Sequence, residues 1–213
     1  MTQDIVDQIA GVTPALDALR GRRPVTREQL QATFDALFHP VSTEHVSLAE
    51  RELVAAFATG LAGTDATATF YAARALDVEP ERAAVVLAEA ASAAQRGPFG
   101  VFVEDGLQGE NTEGERYAPS VETSVALGQR LASALAHTHL LVFRPREAGV
   151  ADLRSLLAAG WSPDGIVTLS QLISFLAFQQ RVVTGLRVLS ATGLAEDRAA
   201  NIALAIDSEE EAA

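Results

Sequence analysis

The chain has 213 residues, 48% of them hydrophobic, and a mean hydropathy of +0.16. Its 28 acidic and 16 basic residues give a formal net charge of −12, which argues against nonspecific nucleic-acid binding and against docking on an anionic membrane, both of which need basic surface. There is no cysteine, so disulfides, thiolate metal ligands and thiol redox chemistry are excluded outright.

The amino-terminal MTQDIVDQIAG carries acids and has no apolar signal-peptide core. No uninterrupted apolar run reaches the ~18 residues that span a bilayer. These features set the expectation of a soluble cytoplasmic protein, built as one all-helical domain over 1–213 or as two intimately packed halves.

In chain order, Ile5, Ile9, Val12 and Leu16 recur at helical spacing and predict one helix over 5–19, broken at Gly21 and Pro24. Thr26 followed by Gln29 reads as a capping box opening a helix through Phe38, which His39-Pro40 ends. Ser47 and Glu50 form a second capping box, with Leu48, Leu53, Val54, Phe57 and Leu61 lining a helix to about Gly60. Gly63, Thr64 and Asp65 interrupt it before another helix to Leu76, and Pro80, flanked by acids, starts the next toward Gln95.

Residues 97–119 hold five glycines, two prolines and five acids, a loop long enough to be either an ordered arm or an active-site cover. Phe99, Val101, Phe102, Val103 and Leu107 predict that its first half packs onto something. Helix returns over 120–142, Pro145 stops it, and a short helix over 150–159 ends at Gly160. Ser162-Pro163-Asp164 caps the longest helix, apolar nearly all round and therefore expected at the centre of the core. A final helix follows Gly193, and residues 207–213 read as an acidic tail. No strand-like alternation of any length occurs, so the expected fold class is all-α. Segments around Pro80 and Pro163 align as a weak internal repeat, suggesting two related helical halves.

Two stretches, SLAERELVAAFATGLAG and LRSLLAAGWSPDGIVTLSQLISFLAFQQRVVTGL, together resemble the carboxymuconolactone decarboxylase / alkylhydroperoxidase AhpD-like superfamily, in particular its peroxidase-related members, over about residues 34–189. The resemblance implies an AhpD-like helical bundle and a homo-oligomer. Redox-active members carry a Glu, eleven residues, Cys-x-x-Cys, three residues and a His. Laid on this chain, Glu52 takes the Glu position, Thr64 and Thr67 the two Cys positions and Tyr71 the His position. Threonine cannot cycle between dithiol and disulfide, so peroxidase chemistry is expected to be absent.

What remains at these positions supports two readings. Glu52, Tyr71, Thr64, Thr67 and Asp65 could converge on the helix break, where a buried carboxylate of raised pKa beside a phenol hydroxyl acts as general base and acid on a small organic molecule. The bland alternative pairs Glu52 with an arginine such as Arg181 and leaves Tyr71 in the core, as expected of a non-catalytic accessory or assembly protein related to alkylhydroperoxidases.

His137 and His139 stand roughly 200° apart around a predicted helix, one expected inside and one exposed, and share no metal. His39 and His45 flank a turn and read as satisfied or exposed. Gln171, Gln179, Gln180 and Arg181, polar on an apolar helix, need partners and either line a central pocket or seal a subunit interface; the resemblance, in whose family this helix contributes to oligomer contacts, favours the interface. No nucleotide loop, nucleophile elbow or zinc spacing is present, and no cofactor or metal is expected.

Overall fold

The computed structural model of the protein describes residues 4–194. Most of the expected final helix and the acidic tail over 207–213 lie outside the described residues. The described chain is helices, turns and loops, with one isolated antiparallel bridge between Gly100 and Thr112. The fold class is all-α. By compactness the chain divides into two units, 1–36 with 179–213, and 37–178, so the boundary falls within two of the helices.

The first unit opens with α1 (Ile5–Ala10) and α2 (Pro14–Gly21), where one helix was expected. Gly11 takes φ 67°, a left-handed conformation that costs glycine little, and ends α1. The Thr13 hydroxyl then accepts the Leu16 N–H and Pro14 starts α2. Helix α3 (Pro24–Phe38) begins two residues before Thr26, because proline suits a first helical position better than Thr26 suits the cap. Asp4 caps α1, and the buried Arg20 guanidinium ties Asp4 and Asp7 to α2. Arg27 of α3 adds bonds to Asp7 (2.5 Å) and Asp17 (2.7 Å).

The second unit is built on α4 (Leu48–Gly60). Its predicted capping box forms: Glu50 N–H donates to the Ser47 hydroxyl at 3.1 Å and Ser47 N–H to the Glu50 carboxylate at 2.8 Å. All residues from Arg51 to Thr59 are buried, because α5 (Ala66–Val78), α6 (Pro80–Ala93) and α8 (Gln129–Phe143) pack around α4. The α4–α6 approach needs Gly60, where an added Cβ would stand 3.0 Å from that of Ala90.

The expected helix over 120–142 is two, α7 (Val121–Leu127) and α8, split at Gly128 with φ 79°. After α9 (Val150–Ala158), α10 runs from Pro163 to Ala191. Pro80 and Pro163 both open helices, of 14 and 29 residues.

The expectation of a central α10 is corrected: α4 holds that place. In the second unit, α10 buries Leu169, Leu172, Ile173 and Leu176 while Val167 and Phe178 remain 56% and 49% exposed. Although the sequence has no unbroken apolar run, α10 is long and apolar enough to cross a membrane by length and composition, and 44% of its most apolar window is buried.

Arg130, at the start of α8, fastens three segments. Its Nε donates to Glu50 at 2.6 Å, Nη1 to the Gly160 carbonyl at 2.6 Å and Nη2 to the His45 carbonyl at 2.7 Å. The guanidinium lies 3.9 Å from the centre of the Trp161 ring, whose indole N–H donates back to the Arg130 carbonyl.

Candidate functional site

At the α4–α5 break, Asp65 caps α5 by accepting the Ala68 N–H at 2.8 Å and Gly63 takes φ 102°. Glu52 is 4% exposed and faces α5. Its carboxylate is held in a fork by Arg74, whose Nε lies 2.9 and 3.1 Å from the two oxygens and whose Nη2 donates to Oε1. Burial works against the Arg74 charge, but the hydrogen bonds and charge of Glu52 raise its pKa overall. The same guanidinium sits 5.3 Å from the Phe38 ring and 5.6 Å from the Phe70 ring.

Tyr71 is fully buried, packed at 5.3 Å on Phe38 and edge-on at 5.1 Å to Phe70. Thr67, one turn before it, is also fully buried, and its hydroxyl oxygen has no hydrogen-bond partner among the described residues. Thr64 is exposed and belongs elsewhere, to the rim of an apolar groove of about 690 Å³ between α4, α5 and α6, lined by Gly60, Leu76, Leu87 and a series of alanines. The five residues therefore do not converge on one chamber. Glu52 and Tyr71 share the neighbourhood of Arg74, whereas Glu52, Thr67 and Tyr71 line none of the cavities of about 200, 690 and 210 Å³. Arg74 was not anticipated, although it lies seven residues after Thr67 and three after Tyr71, on the same face of α5.

A cavity of about 200 Å³, its wall part apolar (Ala136, Leu140, Leu156) and part polar, lies between α8 and α9, with Arg116 and Tyr117 of the 97–119 arm on that wall. His137 and His139 both line it and both are buried, 5% and 2% exposed, so the expected inside–outside division fails. The arm covers the His139 side, with the Tyr117 ring 5.7 Å from the imidazole, and α10 covers the His137 side, with Ser170 Oγ 3.3 Å from Nε2.

Burial lowers the His137 pKa, an effect that the Asp152 charge opposes. Burial and the Arg144 charge push His139 down to about 4, against a backbone hydrogen bond at Ala93. Both imidazoles are therefore neutral at pH 7. Burial, with the hydrogen bond and charge of Glu89, raises the Tyr117 hydroxyl well above the phenol range, so it stays a donor to Glu89 at 2.5 Å.

Two buried groups of this wall have unmet hydrogen-bonding capacity among the described residues, His137 Nδ1 and Arg144 Nε. The remaining Arg144 nitrogens are engaged, Nη1 by Glu147 at 2.8 and 3.0 Å and Nη2 by the Gly114 carbonyl. No protein-family model and no curated protein matches the chain.

The arm is held both by this wall and by the two aromatic residues of its first half, as expected, though not by the valines beside them. The Phe99 ring packs 6.0 Å from Phe143, and Phe102 lies under Arg146 at 3.7 Å, but Val101 and Val103 are 60% and 89% exposed. Among the described residues no group of three metal-ligating side chains comes together.

The other polar candidates are scattered. His39 is exposed, and His45 Nδ1 lies 3.1 Å from Ser162 Oγ. Along α10, Gln179 is fully buried, Gln180 half-buried, and Gln171 and Arg181 exposed.

Proposed function

We propose that this protein binds a small polar organic molecule in the α8–α9 cavity and carries out no thiol chemistry. The observation behind this reading is His137 Nδ1, a buried nitrogen without a hydrogen-bond partner among the described residues, on the wall of this cavity. Buried polar atoms are almost always paired, and leaving one unpaired costs about 1–3 kcal/mol, so a ligand group at this position gains that energy on binding.

A general-base role for Glu52 draws no support, because both carboxylate oxygens are taken by Arg74. The chain reads best as a thiol-free relative of the AhpD-like proteins, with Glu52 turned to a structural use. Support for this comes from the capped helix running to a glycine break and from the long helix opening at Ser162-Pro163-Asp164.

The test is a titration of the protein labelled with ¹⁵N-histidine, using a panel of small alcohols, amides, amino acids and carboxylic acids. A saturable shift of the His137 nitrogens is expected for at least one class. His137 signals that stay unmoved by the whole panel overturn the reading.

A second reading, a cytoplasmic homo-oligomer acting as an accessory or assembly protein, is favoured by a separate observation. The alanine-lined groove between α4, α5 and α6 leaves Leu76 42% exposed beside Val78 at 46%. Light scattering on the eluted protein distinguishes a monomer from an oligomer, and substitution of Ala72 by Glu should dissociate an oligomer that uses this face.

A further inference from the structure

We infer that the α8–α9 cavity selects a small zwitterion of the amino-acid class, its carboxylate toward Arg144 and its ammonium toward Asp152. This rests on the proposed binding function of the same cavity. The wall carries charges of both signs. Arg144 acts on His139, Asp152 acts on His137, and all four line the one cavity.

At the cationic end, Arg144 is 9% exposed and its Nε–H has no acceptor among the described residues, whereas its other nitrogens are committed. A carboxylate oxygen is the strongest acceptor for a guanidinium N–H. Glu147 already balances part of the charge of Arg144 and Arg116, so one further carboxylate meets a net positive, not a bare, site.

At the other end, Asp152 accepts the Gly149 N–H at 2.8 Å through Oδ2 and keeps acceptor capacity on its other oxygen. The neutral His137, with Nε2 3.3 Å from Ser170 Oγ, adds its Nδ1 to the same wall. An ammonium group suits this end, and a simple carboxylate or a simple amine each places a like charge against one end of the cavity. At about 200 Å³ the space falls below the ~300–1,000 Å³ of drug-sized sites, which limits the ligand to a short side chain.

The experiment uses three probes on the full chain with ¹⁵N-labelled histidine: L-alanine, propionate, which lacks its amine, and ethylamine, which lacks its carboxylate. L-Alanine should shift the His137 nitrogens saturably, with each truncated probe at least about tenfold weaker. Asp152→Asn keeps a cap acceptor for Gly149 and should weaken L-alanine about tenfold while sparing propionate.

Propionate or ethylamine binding as tightly as L-alanine overturns the zwitterion and leaves the binding function standing. So does a His137 response to other small molecules with none to L-alanine. Silence toward every molecule, to roughly 100 mM, overturns both, since a ~1 mM site would then be saturated. The three-probe comparison on the unsubstituted chain decides the matter even where Asp152→Asn fails to fold.

Discussion

The Glu52–Arg74 pair makes an asymmetric demand on stability. The Glu52 side chain is 6% exposed and that of Arg74 30%. Arg74→Ala strands a carboxylate with little access to water and removes the guanidinium packed on Phe38 and Phe70. Breaking a buried pair from one side costs about 3–5 kcal/mol, so the expected loss is near 4 kcal/mol.

Glu52→Ala leaves a cation that can turn outward to water, and the loss is about 2 kcal/mol, the worth of hydrogen bonds to one charged group. The double variant should lose no more than Arg74→Ala alone, because no charge is then stranded. Urea unfolding of the four proteins at pH 7, with equal m-values, gives the cycle. An Arg74→Ala loss no larger than that of Glu52→Ala, or strictly additive losses, would refute the view that Glu52 is buried for structural reasons.

Three other outcomes are expected. Hydroperoxide consumption with a dithiol reductant should stay at background, since the sequence holds no cysteine; a rate proportional to protein concentration would contradict this. His139 carries a folded pKa of about 4 against an ordinary 6.5, so the unfolded chain takes up the proton first. Its contribution is whole above about pH 6.5 and is lost as pH falls toward 4, by up to roughly 3 kcal/mol; His139→Gln should flatten this part of the stability–pH curve. Gly128→Ala, at φ 79° and ψ 151° with open space around an added Cβ, should cost about 1–3 kcal/mol by strain alone, measured by thermal unfolding.

What the sequence reveals here is local. Ser47 with Glu50, Pro80 and Ser162-Pro163 each place a helix start within a residue or two, because caps and prolines act through neighbours in the chain. Gly11 and Gly128 are harder to see: each sits inside an otherwise helical apolar rhythm, and only its positive φ turns one helix into two.

Burial around helices depends on what covers them. α10 is apolar on every side, yet the packing buries one side of it in the second unit, while α4, with Arg51 and Glu52 in its sequence, is the buried one because those two charges find partners at Leu37, Val46 and Arg74. The same holds for the site. Helical geometry alone splits His137 from His139, but the arm and α10 enclose both. Those contacts join residues 22 and 33 positions apart along the chain, a distance over which periodicity carries no information.

Arg130 has a consequence for the timing of folding rather than for its end point. Its three hydrogen bonds span 80, 85 and 30 residues of chain, so one side chain closes three loops at once, and does so only after the segments have already met. Loop closure of such lengths adds little free energy per added residue, but contacts made this late slow unfolding more than they speed folding. Lysine offers no planar fork to hold three acceptors in fixed directions. Arg130→Lys is thus expected to raise the unfolding rate of the second unit more than it lowers the folding rate, as stopped-flow kinetics would read.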